Sequence, residues 1–267
     1  MKQFDMRRFG LVLKLDFAEG IRPLLWNALL MVLVYLGFFW FSYNVSMKNI
    51  NGVEDPVYVK GVCEAVGVFG CIAMYIYCVA SAVRIFRDVQ QKQKLTTYLM
   101  LPATNFEKFL SRWVYMMVFS IVGGLLAFFV ADALHATYLL LMGQPAQWAS
   151  GFLLNLMDIK VNYRTGPLVC LTVYSLLTII HAFFLLGGVL FRRYHFVATG
   201  AVFVFLVSVW TWLMNVTGMY RVAWGWSYNT IAAIEIGVFT VGIVVLTCLA
   251  YWLFCRYQVI TRKLVNL

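Results

Sequence analysis

Charged residues divide this chain into a series of long apolar stretches. Six stretches without charge contain 25, 19, 19, 27, 27 and 20 residues, and they lie between Arg22 and Lys48, Glu64 and Arg84, Arg112 and Asp132, Arg164 and Arg192, Arg193 and Arg221, and Glu235 and Arg256. A helix crosses the hydrocarbon core of a bilayer with about 17–25 apolar residues, because it rises ~1.5 Å per residue and bonds its own backbone. The pattern therefore predicts an all-α, polytopic membrane protein with six transmembrane helices, near residues 24–43, 62–84, 113–132, 168–191, 196–214 and 232–255.

A seventh charge-free stretch, residues 133–157, is too interrupted to cross a membrane in the same way. A Gly-Gln-Pro sequence at 143–145 breaks it in the middle, and the apolar pieces on either side are short. We expect an interfacial or re-entrant segment here, and the sequence leaves open whether the wider region 133–167 re-enters the membrane.

The distribution of basic residues predicts the orientation. With six spans, both termini lie on one side of the membrane, and that side collects 16 of the 21 Lys and Arg residues. The remaining 5 are Lys48, Lys60, Lys160, Arg164 and Arg221. Because cytoplasmic loops carry the excess of Lys and Arg, we expect both termini in the cytoplasm. If residues 133–157 formed a further span, the basic C-terminal region would lie outside the cytoplasm. The distribution of Lys and Arg therefore argues against a seventh span.

The composition also indicates a membrane protein and argues against a soluble domain. Of the 267 residues, 63% are hydrophobic and 12% are charged, and the mean hydropathy is +0.83, whereas an average soluble domain is about 25% charged. Membrane orientation and attraction to anionic headgroups account for the net charge of +10, so no nucleic-acid partner is expected. We expect a single transmembrane domain over residues 1–267, no cleavable signal peptide, and six cysteines that act as small hydrophobic side chains, not as metal ligands.

The residues before the first span predict a helix of their own. Within residues 1–22, Phe9, Leu13 and Phe17 share one face, and charged residues occupy others. We expect an N-terminal helix that lies at the cytoplasmic interface and anchors the chain there.

The segment 84–112, between the second and third spans, is unusually apolar for a cytoplasmic connection. Thr104 and Glu107 have the spacing of a capping box, and Pro102 lies just upstream. This predicts a helical stub near 92–100, a break at 101–103 and a new helix that begins at residue 105. Apolar side chains on such a stub either dock into a groove on another protein or fold back on headgroups and neighbouring helices, and the residues alone leave both open.

No motif for catalysis or nucleotide binding occurs in the sequence. It has no phosphate-binding P-loop, no dinucleotide-binding glycine pattern, and no zinc-protease or serine-hydrolase motif. The candidate polar sites in or near the spans are Glu64, Asp132, His181 and Glu235. We expect the three carboxylates at outer helix ends, paired with Lys60 or Arg221, and the histidine as a hydrogen-bonded structural residue, with a substrate or proton site as the alternative. No enzyme activity, metal or bound cofactor is therefore expected of this chain.

A similarity to a known family lies in residues 94–110, KLTTYLMLPATNFEKFL. This stretch resembles a segment of the six-span, type-two permeases of bacterial ATP-binding-cassette exporters, in which a Leu-Pro-Ala-Ser/Thr-x-x-Glu-Lys-Phe pattern follows the second span. The order of interfacial helix, spans and loops is similar as well. The resemblance implies a permease subunit of the inner (cytoplasmic) membrane that pairs with a second copy or a paralogue, and with two ATPase subunits that bind the ATP and Mg²⁺. In that family, the loop after the second span is the coupling helix that contacts the ATPase.

On this sequence, the coupling helix corresponds to about Thr96–Lys108. The contacts that the resemblance implies are Thr96, Thr97, Tyr98, Leu99, Leu101, Pro102, Thr104, Glu107 and Lys108. We expect Tyr98 and Leu99 to be apolar knobs and Glu107 to be the helix cap. The alternative function is a membrane-embedded sensor or assembly factor that holds a cytoplasmic partner with the same loop and transports nothing. An intramembrane enzyme ranks last, because only His181 is placed deep in a span, and the transported substrate is left open.

Overall fold

Six helices account for most of the described chain. The computed structural model describes residues 4–49, 56–85, 98, 100–143, 148–151, 166–191, 194–217 and 228–256. The helices are α1 (Met6–Asn49), α2 (Pro56–Arg84), α3 (Asn105–Leu141), α4 (Gly166–Leu190), α5 (His195–Thr217) and α6 (Tyr228–Cys255). All six are long and apolar enough to cross a membrane, and each predicted span lies within one of them, apart from residue 191, which follows α4. The prediction of an all-α protein with six membrane-spanning helices is confirmed.

Helix α1 is one continuous element of 44 residues that contains Pro23. Asp5 caps its start: the carboxylate accepts the Arg7 amide at 2.8 Å, and the Asp5 carbonyl accepts the Phe9 amide at 2.9 Å. Proline removes one backbone donor, but the turns on both sides keep their helical bonds, so the chain does not break there. Residues 6–22 are thus helical and continuous with the first span instead of forming a helix of their own, and their position at a membrane interface stays a prediction.

Helix α3 extends to Leu141, so the prediction that the third helix ends at Asp132 is wrong, whereas an interfacial position of residues 133–141 stays a prediction. The turn after the helix contains Gly143, which has a φ of 75° and donates its amide to the Leu140 carbonyl at 3.1 Å. Glycine adopts this left-handed conformation without a steric penalty, which makes it the preferred residue just after a helix. Residues 144–147 and 152–165 lie outside the described chain, so the question of a re-entrant segment applies to them alone.

The chain packs into two compact units. The first contains Met1–Lys14, Val79–Met116 and Lys160–Leu267, and the second contains Leu15–Cys78 and Met117–Ile159. Buried side chains from α2, α3, α4 and α6 form the core of the first unit, and they include Ile85, Phe109, Leu185, Val189 and Phe254. The core of the second unit is formed by α1, α2 and α3, with Tyr35, Phe39, Val66, Phe128 and Ala131 among its members. A single domain over residues 1–267 stays a prediction.

In the first unit, α4 packs against both α5 and α6. Only residues 191–194 separate α4 from α5, and a Cβ atom at Gly187 would overlap the side chain of Thr199, which is buried on α5. With so short a connection and so close an approach, α4 and α5 are antiparallel neighbours.

A second close approach joins the end of α2 to α4. A Cβ atom at Gly188 would lie 2.5 Å from the Val83 carbonyl oxygen and 2.9 Å from the Val83 Cα. Both of these are backbone atoms of a buried residue, so no side-chain rotation can relieve the overlap. Only glycine fits at position 188 in this arrangement of helices.

We predict that Gly188→Ala lowers the free energy of unfolding by about 1–3 kcal/mol, because the new methyl group forces the α2 backbone away from α4. The matched control is Gly200→Ala on α5, where a Cβ atom meets nothing within 4 Å. The control should be neutral or stabilising by up to ~1 kcal/mol, since alanine has the higher helix propensity. Unfolding of the purified chain in detergent gives both values, and equal stability of the two variants would contradict the close contact.

Candidate docking site at the start of α3

The connection that leads into α3 has the backbone course expected from its sequence. Residues 98 and 100 are helical, residues 101–103 bend, and α3 begins at Asn105. The Glu107 amide donates to the Thr104 hydroxyl at 3.2 Å, and the Thr104 amide donates to Glu107 Oε2 at 2.8 Å. These two reciprocal bonds form the predicted capping box and satisfy two of the free amides of the first turn. The break and the new helix start are confirmed, whereas residues 92–97 and 99 lie outside the described chain.

The Glu107 carboxylate also bonds to the start of α1. Its Oε1 atom accepts the Asp5 amide at 2.8 Å and Arg8 Nη2 at 3.1 Å. The side chain has no exposed surface. The Thr104 and Asp5 amides and the Arg8 guanidinium therefore supply this buried carboxylate with three donors in place of water.

Tyr98 fastens the helical stub to α3 instead of projecting outward. Its hydroxyl donates to the Lys108 carbonyl at 2.7 Å, and the Arg112 guanidinium lies 4.7 Å from its ring centroid. Tyr98 is 5% exposed, and it packs in the same core as Phe109. A role as an exposed knob does not match this burial. The structure makes Tyr98 a buried anchor of the segment, and Leu101 packs against the same core.

The surface of this segment is formed by other apolar residues. Met100 is 80% exposed, Phe106 is 48% exposed, and Pro102 is exposed as well. Phe4 lies beside Phe106, with 6.0 Å between ring centroids, and it is also exposed. We call Met100, Pro102 and Phe106 the exposed edge. Sequence reasoning selected Pro102 for partner contact and did not select Met100 or Phe106, although both are large apolar residues of a segment that is unusually apolar.

The remaining candidates for partner contact divide into two groups. Lys108 is buried, and Thr104 is half-buried and engaged in the capping box. Thr96, Thr97 and Leu99 lie outside the described residues. The buried members hold the backbone of the segment in place, so the apolar contact surface of the described segment is the exposed edge.

Asp132 lies within α3, not at its end, and the prediction that it closes the helix is wrong. One carboxylate oxygen accepts the Ala149 amide and the other accepts the Ser150 amide, each at 2.9 Å. The residue is fully buried. These amides belong to the start of a helical turn at residues 150–151, where backbone donors lack partners within the turn. The observed partners of Asp132 are thus two backbone amides. The side chains of Lys60 and Arg221, its predicted partners, lie outside the described part of the structure.

The other three polar candidates have simpler surroundings. Glu64 on α2 and Glu235 on α6 are both exposed. His181 on α4 is buried, and its Nε2 atom has no hydrogen-bond partner among the described residues, so the expected hydrogen bond is missing at this nitrogen. A single histidine is too little for acid–base chemistry, which requires a second group in defined geometry. Among the described residues, no three His, Cys, Asp or Glu side chains are close enough to hold a metal ion.

Comparisons with known proteins do not assign this chain to a family. No protein-family model matches the chain, and neither a curated protein nor a solved structure matches it at a significant level. The family resemblance of residues 94–110 therefore stays a resemblance.

We predict that Asp132→Ala lowers the free energy of unfolding by about 1–3 kcal/mol, because the Ala149 and Ser150 amides lose their acceptor in a buried place. The matched control is Glu235→Ala, which removes an exposed carboxylate and should change stability by less than ~0.5 kcal/mol. Detergent-based unfolding of the purified variants measures both. An Asp132→Ala protein as stable as the control would show that these two bonds contribute nothing.

Proposed function

We propose that this chain is the membrane-spanning permease subunit of an ATP-binding-cassette exporter in the bacterial cytoplasmic membrane. Separate ATPase subunits power it by docking on the cytoplasmic loop 84–112. The observation that carries this proposal is the connection into α3, which combines a firmly bonded backbone with the exposed edge of Met100, Pro102 and Phe106. The likeness of residues 94–110 to coupling segments of that family supports it as well.

A coupling element has to move as one body with the helix that it drives. The bond from Tyr98 to the Lys108 carbonyl holds the stub against α3, and the capping box fixes the break between them. Because α3 starts at Asn105, directly after the break, a push on the segment displaces the helix and is not absorbed by a loose loop. This rigidity supports a role in transmitting movement.

The exposed edge supplies the contact itself. Burying a large apolar side chain contributes about 1.5–3 kcal/mol, so two or three such side chains are enough to anchor a short segment in a groove. Met100 and Phe106 are the largest exposed side chains of the described segment. In this proposal they touch the ATPase, whereas Tyr98, Thr104, Glu107 and Lys108 position them.

The energy for transport has to come from a partner chain. The sequence contains no P-loop, so the chain does not hold ATP and Mg²⁺ in that way. In the proposed cycle, ATP binding closes two ATPase subunits, which push the coupling segments of two permease copies or paralogues. The cavity between these permeases then changes from inward to outward access.

The alternative function uses the same edge for a different partner. A membrane-embedded sensor or assembly factor would bind a cytoplasmic protein there without transporting anything. The identity of the partner separates the two functions, because only an exporter requires a protein with nucleotide-binding motifs.

We predict that the double variant Met100→Asp with Phe106→Asp loses its ATPase partner. Two apolar anchors are removed, so the affinity should fall by roughly 100-fold or more. The measurement is gentle detergent extraction from native membranes, followed by identification of the co-purifying chain and its response to ATP. The matched control is Leu140→Asp with Leu141→Asp, two exposed residues at the other end of α3, about 55 Å away along a helix of 37 residues.

Two outcomes would count against the proposal. If the ATPase co-purifies equally with both double variants, the exposed edge is not the docking site. If the partner lost by the Met100/Phe106 variant has no nucleotide-binding motif, the chain is not an exporter subunit and the sensor or assembly function holds.

A further inference from the structure

One buried carboxylate is shared by the N-terminal ends of two helices. Glu107 accepts the Thr104 amide at the start of α3 and the Asp5 amide at the start of α1, each at 2.8 Å. Both amides belong to the N-cap residue of their helix. Asp5 and Glu107 are 102 positions apart in the sequence, and the two helix starts meet at this side chain.

Helix α1 lacks the residue that would cap this amide locally. In a capping box, a Glu or Gln three residues after the N-cap reaches back to the N-cap amide. Three residues after Asp5 stands Arg8, which is a cation and cannot accept that bond. Glu107 supplies the missing acceptor from α3, and Arg8 Nη2 donates to the same oxygen at 3.1 Å.

The surrounding contacts strengthen this connection. Phe4, just before α1, lies edge-on to Phe106 at 6.0 Å and also contacts Phe9 at 5.8 Å. A hydrogen bond to an ionised group is stronger than one between neutral groups, and Glu107 is the charged acceptor in each of these bonds, with Arg8 as a charged donor in one of them. The buried carboxylate has no exposed surface through which water could replace a lost donor.

We infer that Glu107 is a shared cap that couples the first turns of α1 to the start of α3, so that a displacement at either helix start is passed to the other. This coupling is a property of the isolated chain, and it does not rest on the proposed function. If the chain is an export permease, the shared cap delivers the stroke of the ATPase to α1 as well as to α3.

The test is hydrogen exchange of the purified chain in lipid nanodiscs, without any partner protein. The amides to follow are those from Phe9 onward in α1 and from Lys108 onward in α3, because these make the first backbone bonds within each helix. Glu107→Ala should speed exchange at both helix starts by about ten-fold or more, as expected for the loss of charge-assisted bonds.

A change confined to α1 tests the coupling itself. Arg8→Ala leaves the capping box of α3 intact, so faster exchange at Lys108 and the residues after it would have to arrive through Glu107. The matched control is Arg7→Ala, which removes the same charge from an exposed side chain one position away. In the Glu107→Ala background, Arg8→Ala should add nothing, because the shared cap is already absent.

Three results would overturn the inference. The first is unchanged exchange of the α1 amides in Glu107→Ala, the second is an effect of Arg8→Ala on α3 no larger than that of Arg7→Ala, and the third is that the effects of Arg8→Ala and Glu107→Ala multiply. If Glu107→Ala does not fold, Glu107→Gln replaces it in the same cycle, since the amide has one acceptor oxygen in place of two and no charge.

Discussion

Backbone groups at helix ends are the polar groups that this chain has to satisfy, because a helix bonds its own interior but leaves its first amides and last carbonyls free. Asp5 caps α1, Glu107 caps α3 and α1 together, and Asp132 accepts two amides of a neighbouring turn. The buried carboxylates of Glu107 and Asp132 are thus engaged by backbone donors. The same bonds hold the connection into α3 in a defined shape, and the docking edge depends on that shape.

This use of polar residues bears on what the chain does. A carboxylate whose oxygens accept backbone amides is already bonded within the protein and serves its structure. Glu107 and Asp132 are engaged in this way, whereas Glu64 and Glu235 are exposed. In the described chain, the two buried carboxylates Glu107 and Asp132 therefore support the architecture. An external source of energy, as in the proposed exporter, fits this arrangement.

Local patterns in the sequence predicted local structure well, and long-range contacts account for what was missed. The six spans were predicted from the length of the charge-free stretches, and the capping box was predicted from the three-residue spacing of Thr104 and Glu107. The structure confirms both. The end of α3 was placed too early, because a buried aspartate inside a helix looks like a boundary until its partners at Ala149 and Ser150 are known. Tyr98 was expected to be exposed, but its hydroxyl partner is a backbone carbonyl that no side-chain pattern reveals. The bond between Glu107 and Asp5 spans 102 positions and has no signal in a single sequence.

The exposed edge and the shared cap are adjacent in the chain, and this has a mechanical consequence. Phe106 points outward and Glu107 points inward, so a partner that grips Phe106 acts one residue away from the carboxylate that joins α1 to α3. Phe106 also lies 6.0 Å from Phe4 and 5.9 Å from Tyr251 on α6, measured between ring centroids. A force applied at this side chain is therefore divided among the starts of α1 and α3 and the end of α6. Under the proposed function, a single docking contact would move three helices together, and a loose loop with the same apolar side chains would not.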